Sequence, residues 1–541
     1  MPNRLKALNQ FDFTGGINLR PETFQLLENE LPELLNMEVD PRGGLNVRRG
    51  WLAVNLTPIT ASTWNPRNGY AHIKANGDRL VLVANKETAT TAAVHGRLNN
   101  ANFAALTATG PCAQPHAADF ASWDDNVWVV RGPSAGFTWD GTATTALTPS
   151  GGANWQNDYT NPGAAKNAPN GDLIAQHAGY MFIGCTTEAG TYFPNRIRWS
   201  HPNNPYAWAA DDYIDLSEGG QRITAMIPYS DRLVIFKPDS VWALFGYDAD
   251  SWELTNISRT IGCANQQAIC RNESGVFFLS WPQGIFAYTE RGNVTELSVP
   301  IRAVFQSHRI DPAAIDNTWL GWVDRRLWCS LPFDKIPPPD DAATVFVWDP
   351  ILQENGSWTM FRGAEGCMPG PYLERVDLET QSARYAFVRQ YPHLIVLDEV
   401  TEGATDECQP GMVDGFPTRF RTRWLDAGAP TWKKSWRRPD LLLRALKINT
   451  IVNCRVFHDY DSSNAERSFE VVFTPDNPLT LWGHFNYGDG TIYGGSNQTT
   501  SVERGGTMGR AGAVQLLVES QPGISWGLNG VIFKYIPRRF R

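Results

Sequence analysis

The chain has 541 residues, a formal net charge of −9, 42% hydrophobic residues and only 19% charged ones. Its 21 Trp, 16 Tyr and 26 Phe can fill large cores, and the low charge content argues against disorder. No run approaches the roughly 18 apolar residues of a membrane-spanning helix, and the opening MPNRLKALNQFDF lacks the apolar segment of a signal peptide.

Residues 1–55 read as a non-repeating arm. FTGGINLRPETF is extended with a turn at Gly15 and Gly16. ENELPELLNME predicts a short helix, capped near Asn29 or Glu30, with Pro32 in its first turn and Leu31, Leu34 and Leu35 on one face. VDPRGGLNVRRGW turns between Pro41 and Gly44 and enters a strand.

Residues 56–415 repeat one sentence. A turn residue leads into an apolar strand, a turn follows, and a second apolar strand returns. Strands begin after Asp78, Asp125, Gly179, Asp231, Gly275, Asp324 and Arg384, at a mean spacing of about 51 residues, which is a propeller-blade period. Partner strands follow in GFTWDG, IRWSHP, VWALFGY, GIFAY and VFVWDP. The pattern predicts a β-propeller of six or seven blades, with the strand at Leu45 to Leu52 completing a blade begun late in the chain. Pro149 to Asn170 and Pro337 to Ala343 read as face loops, and the stretch from Asp398 to Phe416 reads as a linker.

Residues 416–541 carry longer alternating strands and predict an antiparallel, jelly-roll-like β-sandwich. The charge divides with the architecture. From Phe416 to Arg541 there are 17 Lys and Arg against 10 Asp and Glu, a balance of +7, so Met1 to Gly415 carries −16. Opposite signs point to two regions with different neighbours.

No motif supplies catalysis: HExxH, GxSxG, Walker and GxGxxG patterns are missing from the sequence. Asp124-Asp125, Asp211-Asp212 and Asp340-Asp341 are the carboxylate pairs a glycosidase reading needs. They precede strands, where Asp serves turns. His201 reads as a loop hydrogen-bonder. His458 to Ser463 resembles half a calcium loop without the Gly and Glu that complete one, so it reads as a strand-end turn. The eight cysteines form no CxxC. They read as small buried hydrophobes in a chain made in a reducing cytoplasm, not as redox or metal ligands. No catalytic residue, metal or cofactor is expected.

One cluster suggests a surface. Trp432, Lys433, Lys434, Trp436, Arg437 and Arg438, with Arg538, Arg539 and Arg541 at the carboxy terminus, mix cations with aromatic residues. Such a mixture serves a protein interface or a nucleic-acid backbone. In an acidic chain the interface is the expectation.

Three motif groups carry a family resemblance. The first runs from Phe13 to Asn18, from Leu31 to Asn36, and from Gly44 to Gly50. The second is Ile197 to Pro202 followed by Asp215-Leu216 and Gly219 to Ile223. The third is Leu233 to Lys237 running on to Phe245-Gly246. These, with the closing strands from Gly506 to Tyr535, resemble bacteriophage tail proteins of the nozzle (tail tubular B) or tail-hub type in short-tailed phages. The resemblance implies a structural virion protein without enzymatic activity, a homohexameric ring below the tail adaptor, and neighbouring fibre or spike proteins. It also implies a channel through which genomic DNA leaves without sequence-specific binding, with host-surface contact open to the propeller loops. A tail-tip protein of a long-tailed phage, or a receptor-binding or glycan-active propeller, is the alternative.

Overall fold

The computed structural model describes residues 4–538, apart from 21–24, 62, 108–109, 113, 150–154, 156–165, 219, 307–309, 311, 333–343, 365–366, 374–383, 401–403, 445–449 and 474–499. The chain is all-β: a propeller fused to a two-sheet sandwich. Asp340, Asp341, Arg539 and Arg541 lie outside the described residues, as does most of both expected face loops.

Six blades are built from consecutive strands and a seventh is composite. The seven innermost strands are Pro66–Ile73, Asp119–Trp123, Leu173–His177, Ala225–Tyr229, Ile269–Arg271, Trp319–Val323 and Pro369–Tyr372. All seven contribute residues to one axial cavity of about 330 Å³, so the ring is closed. The apolar strands that mark the sequence period are the second strands of the blades, such as Arg232–Phe236 and Gly275–Ser280. They are buried along nearly their whole length because each blade is covered on both faces by its neighbours. Tight turns feed them, with Asp124, Ala178, Ser230 and Asp324 in the left-handed region at φ 52°, 49°, 52° and 50°. Such backbone suits two-residue hairpins between right-twisted strands.

Blade seven closes the ring. Pro369–Tyr372, Tyr385–Val388 and Leu394–Val400 are joined by Gly50–Ala53 from the chain's beginning, antiparallel to Leu394–Val400. The predicted linker is in fact a hairpin, Thr405–Gln409 with Met412–Gly415, which extends this blade's outer edge. Alternation in ATDECQ places Cys408 and Asp406 inward, and that packing outweighs the local turn chemistry.

Two cysteines also depart from expectation. Cys112, Cys185, Cys263, Cys270, Cys329 and Cys454 are buried thiols, whereas Cys367 and Cys408 form a disulfide across 41 residues. It links the outer hairpin to the segment entering blade seven.

The helix predicted in ENELPELLNME, Glu28 to Glu38, is replaced by short strands, Glu30–Leu31, Glu33–Leu35 and Met37–Val39. Glu33–Leu35 runs antiparallel to Thr418–Arg421, and the Glu33 carboxylate pairs with Arg419 and Arg421 at 2.8 and 3.0 Å. Tertiary pairing wins over a helix of about three turns, which is unstable alone.

The arm is therefore part of the sandwich. Lys6–Gln10 and Leu45–Val47 both pair with Gly527–Pro537, which also takes Asp440–Arg444 and Lys434–Trp436. The facing sheet runs Arg467–Phe473, Thr450–His458, Val514–Ser520, Thr418–Arg421 and Glu33–Leu35. It continues through a single parallel bridge, Leu35 to Met360, into the outer strand of blade six. Leu441, Leu528, Val531 and Phe533 pack with Phe420, Val452, Cys454, Leu516 and Val518 to form the sandwich core.

Candidate interaction surfaces

The sandwich presents its outer sheet to solvent, and the strand register decides which side chains stand there. Ser435 lies opposite Ile536 on one side and Arg510 on the other, while Trp436 lies opposite Tyr535 and Gly509. Trp436 is 1% exposed, so its row faces the core and the neighbouring rows face out. The backbone amide of Arg437 donates to Lys534, and that of Arg538 donates to Lys433, which extends the same register. Lys433, Arg437, Arg510, Lys534 and Arg538 thus share the outward face. Asp440 joins them by pairing with Lys534. Trp432, 54% exposed, stands at the edge of this face, and Arg438 is exposed beside it.

This divides the predicted cluster. Trp432, Lys433, Arg437, Arg438 and Arg538 are at the surface. Lys434 and Trp436 are not, because strand alternation turns every second residue inward. Lys434 is 2% exposed, and its ammonium donates to the carbonyls of Ala429, Trp432 and Gly512. Burial lowers its pKa. Trp436 donates to the Ala511 carbonyl at 3.2 Å and packs on Tyr535. Arg510 and Lys534 were missed because they are distant in sequence. Only the pairing of three strands brings them in, and the alternation of GRA and of FKYIP is the signal that could have found them.

The propeller has two unlike faces. Each blade runs up and down, so the loops joining its first to second and third to fourth strands emerge at one end. Among the described residues those loops hold 13 carboxylates and 4 cations. The loops at the other end, with the connections between blades, hold 5 carboxylates and 6 cations. The acidic face is densest at blades three and four. There Asp211, Asp248, Asp250 and Glu253 are exposed, with Tyr247 76% and Tyr213 38% exposed among them. The carboxylates of Asp248, Asp212 and Asp250 add to burial in raising the pKa of Tyr180.

Asp124-Asp125 and Asp211-Asp212 sit in turns of this face. Asp125 accepts from the Ala75 amide at 2.7 Å, which ties two neighbouring blades. His201 bonds within its own loop, to the Pro202 carbonyl. The His458 to Ser463 segment is a strand-end turn, with Asp459 and Tyr460 at φ 49° and 68° and Asp459 capping the amides of Gly512 and Ala513.

The axial cavity and the layer behind its wall hold carboxylates whose ionisation burial disfavours. Asp119, 3% exposed, accepts from Asn68 at 3.2 Å and from the Ile174 amide at 2.9 Å, and burial pushes its pKa up to about 7. Beyond the cavity wall, Asp172 accepts from Gln114 at 2.7 Å and Tyr192 at 2.8 Å, and burial raises it to about 6. Burial lowers His116, bonded to the Asp172 carbonyl, to about 4. Asp119, on blade two, is held by partners from the blades on either side. That arrangement locks the inner strands in register.

No family model matches the chain, and no curated protein matches it. Solved structures similar to it include YCF48 bound to D1 peptide, 9% identical, covering 68% of this chain and 98% of that one at a TM-score of 0.39. BBS1N in complex with ARL6DN is 12% identical over 66% of this chain and 99% of that one, at 0.36. PorZ of the type-IX secretion system of Porphyromonas gingivalis is 9% identical over 69% and 44%, at 0.34.

Proposed function

We propose that this chain is a structural protein of a bacteriophage tail, a nozzle or hub subunit that assembles into a ring around the exit channel for DNA. The observation that supports the reading is where the first motif group falls: it joins the sandwich to the propeller, while the second and third groups lie within blades three and four. Gly16 lies at φ 61° where a Cβ would meet the Trp358 carbonyl at 2.4 Å, so the arm docks on blade six only with glycine there. Asn36 and Arg48, from the same motif group, bond to blades six and seven. That motif group therefore includes residues that fasten the two modules to each other, as a ring subunit requires.

A closed ring needs heterologous contacts related by rotation. The exposed cationic sheet is a surface for such contacts, and the closed propeller leaves few free sheet edges on a particle outside a cell. The sandwich supplies a ring contact, and the propeller surface left outside such contacts is an outward module for fibre, spike or host contact. Genomic DNA passes through the lumen without base recognition, and neither catalysis nor a cofactor is part of the role.

Electron microscopy of the purified protein, and of tails from particles carrying a tagged copy, tests this. A ring with a central channel at the tail supports the reading, and a dispersed monomer missing from particles defeats it. Polysaccharide cleavage lost in Asp211→Ala or Asp212→Ala would replace it with the glycosidase reading.

A further inference from the structure

The two charged surfaces lie on one chain and face away from their own core. The outer sheet of the sandwich gathers Lys433, Arg437, Arg510, Lys534 and Arg538, with Trp432 exposed at its edge. Asp440, paired with Lys534, is the carboxylate the register places among them. The loop face of the propeller carries more than three carboxylates for every cation, with Tyr213 and Tyr247 exposed at its most acidic sector. Like charges on either surface repel their own kind, so neither face pairs with a second copy of itself. Opposite signs with exposed aromatic anchors on both sides match the composition of protein interfaces.

We propose that the cationic sheet face of one copy docks on the acidic loop face of the propeller of a second copy, at blades three and four. The contact is head-to-tail, so each subunit offers one surface and receives the other. It deepens the ring reading above and rests on it. Trp432 enters between Tyr213 and Tyr247, and Arg437 and Arg538 meet Asp211, Asp248 and Asp250. A protein with an overall charge of −9 self-associates through this contact because the charges are sorted by face, not averaged.

Sedimentation at low salt tests it, with two variants at exposed positions: Arg437→Glu with Arg538→Glu, and Asp211→Lys with Asp250→Lys. Circular dichroism confirms that both fold. Wild type associates, and molar salt weakens association roughly tenfold or more. Each variant alone is monomeric, and an equimolar mixture associates, because each supplies the face the other lacks. Variants that associate like wild type, a mixture no better than its components, or a wild type monomeric at low salt overturns the proposal. Binding of short duplex DNA through Arg437 and Arg538, without self-association, also overturns it and names a nucleic acid as the occupant. A ring at the tail whose subunits leave these faces apart sinks the contact and spares the tail reading. A chain missing from particles that still shows complementary mixing sinks the tail reading alone.

Discussion

Arg48 and Asp406 form a fully buried ion pair, Nη2 to Oδ2 2.6 Å, with both side chains 0% exposed. Every guanidinium hydrogen is used. Nε donates to Asn36, Nη1 to the Arg49 carbonyl and Asp406, and Nη2 to the Arg362 carbonyl and Asp406. The plane is sandwiched between Trp51 at 4.1 Å and Phe416 at 3.8 Å. Asp406 in turn accepts from the amides of Trp51 and Ala364. One residue thus joins the arm, blade six, blade seven and the start of the sandwich. A buried pair of this kind need not add net stability, but breaking it leaves an uncompensated charge.

Arg48→Met should therefore lower unfolding stability by about 3–5 kcal/mol, and Asp406→Asn by a similar amount, measured by denaturant titration. The double variant Arg48→Met with Asp406→Leu should recover a large part of the loss, because no lone charge remains. A double variant as unstable as the two losses added would mean that the site acts through packing alone.

The propeller was legible because its second strands are apolar throughout and return at a steady interval, as in RLVIF and GVFFLS. The closing strand expected at Leu45 to Leu52 was seen in part: Gly50–Ala53 does complete blade seven, whereas Leu45–Val47 pairs in the sandwich. What stayed hidden depends on partners far away in sequence. Leu31, Leu34 and Leu35 look helical until Thr418–Arg421 is beside them. Asp406 looks like a linker acid until Arg48, 358 residues earlier, is brought to it. The cationic face was half seen: Trp432 and Arg437 could be read from their cluster, whereas Lys434 and Trp436 needed the strand's direction and Arg510 its neighbour.

That division of the cluster predicts opposite outcomes for adjacent residues. Lys434→Ala removes a buried ammonium that serves three carbonyls, and should cost about 2–3 kcal/mol in unfolding free energy. Arg437→Ala touches only the solvent face and should stay within about 0.5 kcal/mol of wild type. Equal losses in thermal denaturation would show that the register of Lys434–Trp436 is misplaced.

The bond between Cys367 and Cys408 spans 41 residues and crosses the place where the ring closes. Constraining a loop of that length restricts the unfolded chain and stabilises the fold by about 2–4 kcal/mol. Cys367→Ser, or wild type under strong reductant, should melt at a lower temperature, and reductant should leave the variant unchanged. A reductant effect of equal size in Cys367→Ser would place the sensitivity elsewhere.

Asp119 makes stability depend on pH in a direction that can be worked out. Its folded pKa of about 7 lies above the ordinary value of 3.8, because burial disfavours the ionised carboxylate. Between those values the folded chain holds a proton that the unfolded chain has released. This group's contribution to stability therefore falls as pH rises from about 4 to about 7, and it changes little above that. His116, lowered to about 4, works the other way: its contribution is lost as pH falls below about 6.5. Comparing Asp119→Asn with wild type isolates the carboxylate, since His116 is common to both. Each factor of ten in proton affinity is worth about 1.4 kcal/mol, so the variant should gain on wild type by roughly 2–4 kcal/mol between pH 5 and pH 8. Denaturant titrations at the two pH values read that difference directly. A difference that does not change with pH would show Asp119 ionised throughout, with water reaching its carboxylate from the axial cavity.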